Sequence, residues 1–230
     1  MRMIKTRNRS NSALFMYLQL LVVFLAFAVM VIVSYFFMEN IEREHLNRDI
    51  REIFLSKQSQ IKAELLESEV TLKNTSQTLR RMLIKGAGEE EVSDYMIDLH
   101  KYMQSGQAGS KIIDIYAYFD VFNGKFINGS NWAPPSDYNP KSRSWYSAAV
   151  EANGNVAISK PYRDVRYGEM VIAFSRRIFD DNGDPLAVIS VDMKLSDIAK
   201  KVVDTDLTEN SFGLLLSEDI EFLAHPDSAL

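Results

Sequence analysis

The chain has 230 residues, of which 47% are hydrophobic, 25% charged and 11% aromatic, a balance that excludes intrinsic disorder and allows one or two domains. A net charge of −5 without a strongly basic region argues against nucleic acid as the main partner. The absence of cysteine excludes disulfides, thiolate metal sites and cysteine nucleophiles.

Residues 1–12 carry Arg2, Lys5, Arg7 and Arg9 and no acid, whereas residues 13–38, "ALFMYLQLLVVFLAFAVMVIVSYFFM", carry no charge. At 1.5 Å per residue this run makes roughly 39 Å of helix, enough to cross a ~30 Å hydrocarbon core with some tilt. Glu39, Glu42 and Glu44 follow, with Arg43 and Arg48 as the neighbouring bases. The more basic flank stays inside. The expectation is therefore a cytoplasmic N-terminus (1–12), a transmembrane helix (13–38) and an extracytoplasmic remainder, periplasmic or extracellular, on an inner or cytoplasmic membrane. A cleaved signal peptide is the alternative, but its apolar core would be about half as long and no A-x-A-like site follows.

From Glu39 to Lys85 there is neither glycine nor proline. Leu46, Ile50, Ile53, Phe54, Ile61, Leu65, Leu72, Leu79 and Leu83 step mostly by three, four or seven, which predicts a long amphipathic helix over 39–85. The heptad run Leu65, Leu72, Leu79 suits a homodimer seam, and equally suits packing on the protein's own sheet. Gly86 and Gly88 stop the helix. "EEEVSDYMIDLHKYMQ" predicts a shorter second helix with acids in its first turn, where the macrodipole favours them.

Strands are expected from Lys111. "KIIDIYAYF" is β-branched and aromatic, and Asn123-Gly124 in "FNGKF" is a hairpin signal. Pro134-Pro135 lead into "YNPKSRSWYSAAV", whose later half is helical and ends at Asn153-Gly154. "NVAISKPY", "GEMVIAFSRRIF" and "LAVISVDM" read as three more strands, the last two joined by "DDNGD". "SDIAKKVV" reads as a helix with Ser196 as N-cap. "SFGLLLSEDIEFLAHPDSAL" reads as strand, turn, strand, which either extends the sheet or opens a further module. The order gives an α+β fold, with residues 86–205 as one module and 206–230 after it.

A zwitterion such as an amino acid asks two things of a pocket. Its carboxylate needs a fixed cation with donors, ideally a guanidinium. Its ammonium needs a carboxylate assisted by aromatic hydroxyls or faces. Arg143 and Trp145 offer guanidinium and indole N–H donors, and i, i+2 spacing points both to one side if the backbone is extended. Tyr162 follows Pro161, with Asp164 two residues on along the same segment. Asp192 interrupts the otherwise apolar "LAVISVDMKL", so it is paired or sits at a rim. Two arrangements stay open from the residues alone. Either these groups line one pocket, or Asp192 and Arg143 form a structural ion pair with Trp145 as core.

"YNPKSRSWY", "KPYRD" and a hairpin ending in "VISVDMKL", followed by a second hairpin with "HPD", resemble the double Cache extracytoplasmic sensor family. The resemblance covers essentially everything after the span. It implies a PAS-like antiparallel sheet behind a long N-terminal helix, as found in bacterial chemoreceptors, sensor histidine kinases and diguanylate cyclases. It also implies that residues 86–205 are a membrane-distal module and 206–230 the start of a second, membrane-proximal one. One subset of that family binds free amino acids through a tyrosine, an arginine, a tryptophan, a second tyrosine and an aspartate, and all five are matched here. The resemblance implies that Tyr138, Arg143 and Trp145 hold the ligand carboxylate and that Tyr162 and Asp192, helped by Asp164, hold the amino group.

His45, His100 and His225 have no metal spacing, and no nucleophile elbow, P-loop or carboxylate pair argues for catalysis in this segment. Asn74-Thr75-Ser76 and Asn128-Gly129-Ser130 match a glycosylation acceptor, a short pattern that recurs by chance and that a bacterial origin would make irrelevant. The expectation is a non-enzymatic sensor without cofactor, integral to the membrane and homodimeric, that binds a free amino acid and passes the signal across the membrane. The rivals are the same fold with an amine, organic acid or purine ligand, and a membrane-anchored dimerisation module. An amine needs no Arg143, and an organic acid needs no Asp192.

Overall fold

The computed structural model describes residues 7–105, 111–203, 213–216 and 222–224, and the chain forms two compact units, residues 1–55 and 56–230. The expected span and long helix are one element, α1 (Arg7–Ile84). It is long and apolar enough to cross a membrane, with a window of mean hydropathy 2.9 of which nothing is buried inside the protein. Large apolar side chains from Leu14 to Met38 are more than half exposed throughout, as lipid contact requires.

The second unit is a sheet between helices. After α1, the Lys85–Gly86 turn, with Gly86 at φ 85°, leads into α2 (Glu89–Gln104). The strands are β1 (Ile112–Phe119), β2 (Lys125–Asn128), β3 (Ala157–Ile158), β4 (Tyr162–Arg163), β5 (Met170–Phe179) and β6 (Pro185–Lys194). Between β2 and β3 lies α3 (Ser144–Glu151), and α4 (Leu195–Val203) follows β6 directly. The sheet order is β2-β1-β6-β5-β3, with β4 also on β5, and all pairings are antiparallel. Two hairpins fix the registers. Asn123 (φ 55°) and Gly124 (φ 81°) turn β1 into β2, because left-handed backbone suits these two residues. Asp180 turns β5 into β6 by accepting the Asn182 and Asp184 amides at 2.9 and 2.8 Å.

Strand alternation sorts the core into two faces. Ile115, Ala117 and Phe119 of β1 and Ile189, Val191 and Met193 of β6 pack with Leu72 and Leu79 of α1 and Val92 and Met96 of α2. The other face carries Tyr116, Val188 and Ala173 against Trp145 and Ala149 of α3. The α+β expectation and its antiparallel sheet hold.

Two local expectations are corrected, and one left open between two readings is decided. "NVAISKPY" is not one strand but β3 and β4, both paired to β5 and separated at Lys160-Pro161, where proline supplies no amide for the ladder. Helix α4 begins at Leu195, so Ser196 lies in its first turn instead of capping it. Leu72 and Leu79 are fully buried on the protein's own sheet, with Leu65 packed beside them. That heptad is therefore an intramolecular seam. At the C-terminal end, β7 (Leu215–Leu216) and β8 (Phe222–Ala224) form a separate two-stranded sheet, while the "HPD" at 225–227 lies outside the described residues.

Leu79→Ala should lower stability by about 2–5 kcal/mol, the range for a buried leucine that leaves a cavity. Leu66→Ala, at a position 57% exposed, should fall within about 0.5 kcal/mol of wild type. Thermal or denaturant unfolding of the two variants checks the side of α1 that meets the sheet; equal losses would contradict it.

Candidate functional site

The sheet face that carries Tyr116 is also the face with ionisable groups. Asp114 of β1 lies directly opposite Asp192 of β6, and Tyr116 lies opposite Ser190. Partners directly opposite share a face, so the two acids are neighbours on adjacent strands, and the Tyr116 ring reaches diagonally to Asp192. Beside Asp114 and Tyr116 lies a narrow cleft, with a cavity volume of about 10 Å³.

One wall is built by the loop before α3. Asn139 accepts the Lys141 amide at 3.0 Å and Pro140 opens a short 3-10 turn, Pro140–Ser142. Arg143 is left extended (φ −87°, ψ 145°) as the N-cap residue of α3, and Trp145 falls inside the helix. The two therefore do not share an extended strand, as i, i+2 spacing would have it; the helix start brings both to the cleft. Arg143 Nη2 donates to the Arg163 carbonyl at 3.0 Å, and its guanidinium lies 5.2 Å from the Tyr162 ring centre. Trp145 is 1% exposed and packs edge-on against Tyr116, ring centres 5.0 Å apart. It is at once core and cleft lining. Tyr138 is half-buried against Phe126 and Trp132 at 5.3 and 5.8 Å. Burial raises the Tyr138 hydroxyl pKa, while a hydrogen bond with Trp145 and the Arg143 charge pull it down. Those two partners place hydroxyl, indole and guanidinium in one neighbourhood.

The opposite wall is a phenol–carboxylate cluster. Tyr116 Oη donates to Asp192 Oδ1 at 2.7 Å, Tyr162 Oη donates to the same oxygen at 3.0 Å, and the two hydroxyls are 2.8 Å apart. Asp192 is 1% exposed. Burial pushes its pKa up to about 8 against the two phenol hydrogen bonds, and the charges of Asp164 and Asp114 push the same way. Burial also raises both phenols, with the Asp192 charge adding to it. Among the described residues Asp192 has no ion-pair partner, so the structural Arg143–Asp192 pair is not formed.

Asp164 lines the cleft as well, but part of its capacity is local. Its Oδ1 accepts the backbone amides of Arg166 and Tyr167 at 2.9 and 2.6 Å. These bonds close the turn before Gly168 (φ 70°); Oδ2 remains available.

Five of the six expected residues, Tyr138, Arg143, Trp145, Tyr162 and Asp164, thus line one cleft, and Asp192 lies buried behind it, hydrogen-bonded to the lining Tyr116 and Tyr162. Four further groups escaped sequence reasoning: Asp114, Tyr116, Asn128 and Arg166. Alternation along "KIIDIYAYF" carries a signal for the first two, since an acid and a tyrosine at i, i+2 share a face. Asn128 reads in sequence as a glycosylation acceptor, yet it is buried with its Nδ2 donating to Asp114 at 3.0 Å. Among the described residues no group of His, Asp and Glu could hold a metal ion.

Comparison with known proteins gives this geometry a family. Residues 52–200 match the model for the methyl-accepting chemotaxis protein-like, first PDC sensor domain. The chain is 25% identical over 165 residues to the methyl-accepting chemotaxis protein McpA of Bacillus subtilis, covering 66% of this chain and 24% of McpA. It thus spans about a quarter of that receptor's length. Among solved structures, the ligand-binding domain of the Pseudomonas fluorescens chemoreceptor CtaA in complex with L-serine superposes with a TM-score of 0.65 at 20% identity, covering 82% of this chain and 75% of that one. The ligand-binding domain of the Pseudomonas aeruginosa amino acid chemoreceptor PctC in complex with GABA gives 0.62 at 23% identity, over 77% and 75%. At these identities the two structures establish the fold. Because the family model spans well over half of the sequence, the chain belongs to the methyl-accepting chemotaxis protein-like first PDC sensor domain family.

Proposed function

We propose that this chain is the sensing part of a transmembrane receptor, with its N-terminus in the cytoplasm and residues 56–203 outside, and that the cleft binds a free amino acid. The observation that carries this reading is Asp192. It is a buried carboxylate on a central strand whose hydrogen-bond donors are two phenols and which has no ion-pair partner among the described residues. Such a group is costly unless something cationic completes it. Across the cleft stands Arg143, with Trp145 and Tyr138 beside it. An α-ammonium and an α-carboxylate complete the two walls together. An amine would leave Arg143 unmatched, and an organic acid would leave Asp192 so.

In this reading Tyr138, Arg143 and Trp145 take the carboxylate, Tyr162 and Asp192 take the ammonium with Tyr116 added, and Asp164 contributes its free oxygen at the rim. The relatives that share the fold support the ligand class, since the ligand-binding domains of the chemoreceptors CtaA and PctC are seen in complex with L-serine and GABA. A chemotaxis output is favoured over a kinase or cyclase, the matched relatives being chemotaxis receptors. The β7–β8 sheet starts the membrane-proximal module. Ligand exerts its effect by binding two conformations unequally.

Arg143→Lys should weaken amino-acid binding by about 1.5–3 kcal/mol, on the order of tenfold or more, because an ammonium cannot make two parallel bonds to a carboxylate. Calorimetric titration that returns wild-type affinity would remove Arg143 from the carboxylate role.

Asp192 gives the pH dependence. Its folded pKa is raised from 3.8 to about 8, so between those values the folded state keeps a proton that the unfolded state has lost. Stability should therefore fall as pH rises through that window and level off above it. Ligand ammonium needs the ionised acid, so binding below pH 8 releases a proton and tightens by up to about tenfold per pH unit as pH rises from 6. Asp192→Asn should abolish both slopes, leave the unliganded protein at least as stable, and shrink the ligand-induced rise in Tm. Titrations in buffers of different ionisation enthalpy that show no proton release at pH 6.5 would refute the assignment.

The receptor is further proposed to be a homodimer through α1. Leu72 and Leu79 are occupied by the sheet, and the exposed Ile41, Leu46, Phe54 and Leu55 remain for a partner. Deleting residues 39–60 should lower the sedimenting mass of the extracytoplasmic fragment; unchanged mass would count against this face.

A further inference from the structure

One end of the cleft is not used by a ligand's α-groups, and its chemistry limits which amino acid fits. Asp114 is 4% exposed. Its carboxylate accepts the Ile115 amide at 2.8 Å, Asn128 Nδ2 at 3.0 Å and Arg166 Nη1 at 3.4 Å. His100 approaches from α2, with Nδ1 3.6 Å from Asp114 Oδ1. Arg166 also donates to Ser130 Oγ and lies 4.6 Å from the Tyr167 ring centre. Asn128 Oδ1 accepts the Ser130 amide at 2.8 Å. Asp114, Asn128 and Arg166 all line the cleft.

The ionisable groups at the cleft are Asp114, Asp164, Asp192, Arg143 and Arg166, with His100 behind. Asp114 and Arg166 already neutralise each other, and burial lowers the His100 pKa, which leaves that ring neutral at pH 7. Asp164 is engaged by two backbone amides. A zwitterion matches Arg143 and Asp192. A third ligand charge set against this wall would have to break the Asp114–Arg166 pair, and an anion drawing off Arg166 would leave Asp114 buried without a counter-charge.

Asn128 keeps one amide N–H, Arg166 keeps donors on Nη2 and Nε, and Asp114 keeps lone pairs. A hydroxyl or carboxamide can accept from the former and donate to the latter. An aliphatic side chain would cover these groups and bond to none.

We infer that the Asp114–Asn128–Arg166 wall is the side-chain subsite and that it selects amino acids with short, uncharged polar side chains. The inference rests on the amino-acid reading above.

The test is calorimetry on the full chain in detergent, with asparagine against leucine, threonine against valine, and aspartate and lysine as charged probes. Asparagine or threonine should bind at least tenfold more tightly than its aliphatic counterpart and than both charged probes. If amino acids bind but leucine, valine, aspartate or lysine matches or exceeds the polar probes, the subsite is wrong while the amino-acid reading stands. If no amino acid binds, both fall. Arg166→Met gives an independent arm by removing the resident counter-charge of Asp114. Lysine should then gain at least tenfold relative to asparagine, and an unchanged ratio in a variant that still melts cooperatively would overturn the inference.

Discussion

A carboxylate on the middle of a sheet has nowhere to find water. Asp192 sits on β6 with β1 on one side and β5 on the other, opposite Ala173 and, less comfortably, opposite a second acid, Asp114. Like charges in direct opposition destabilise a ladder. The fold handles the two acids differently. Asp114 has resident donors from β1, β2 and the 164–168 turn, with His100 of α2 nearby, whereas among the described residues Asp192 receives only the hydroxyls of Tyr116 and Tyr162. The positions of Trp145 behind Tyr116, of β4 as the carrier of Tyr162, and of α3 as the lid on this face all follow from enclosing that one unmatched group.

Much of the architecture is legible in the sequence because its signals are local. The uncharged run at 13–38, the glycine stops at 86 and 88, the Asn123-Gly124 and Asp180–Asp184 turns, and the acids opening α2 each act within a few residues. The residues proposed for the site are legible too, partly from chemistry and partly from the family motif, and five of the six line the cleft. Asp192 stands out because an acid in an apolar strand demands an explanation.

What the sequence hides is set by pairing and by competition. Register decides that Asp114 faces Asp192 and that Asn128 sits beside Tyr116, and no local pattern encodes a cross-strand partner. The heptad Leu65, Leu72, Leu79 is compatible with two surfaces of equal apolarity, and only the sheet's presence decides between them. Arg143 and Trp145 reach one cleft through a 3-10 turn and a helix start, a path that strand periodicity does not describe. Pro161 divides one expected strand into two pieces, and the second piece presents Tyr162.

Asp192 is flanked in sequence by Val191 and Met193, which point to the opposite face and are 0% and 1% exposed in the same cluster as Leu72 and Leu79. One strand thickness is therefore all that separates the acid behind the cleft's two phenols from the side chains packed with Leu72 and Leu79 of α1. Close-packed interiors are stiff and have few voids to absorb movement. Any displacement of β6 at Asp192 would therefore be met on the other face of the strand by the packing of Val191 and Met193 with Leu72 and Leu79.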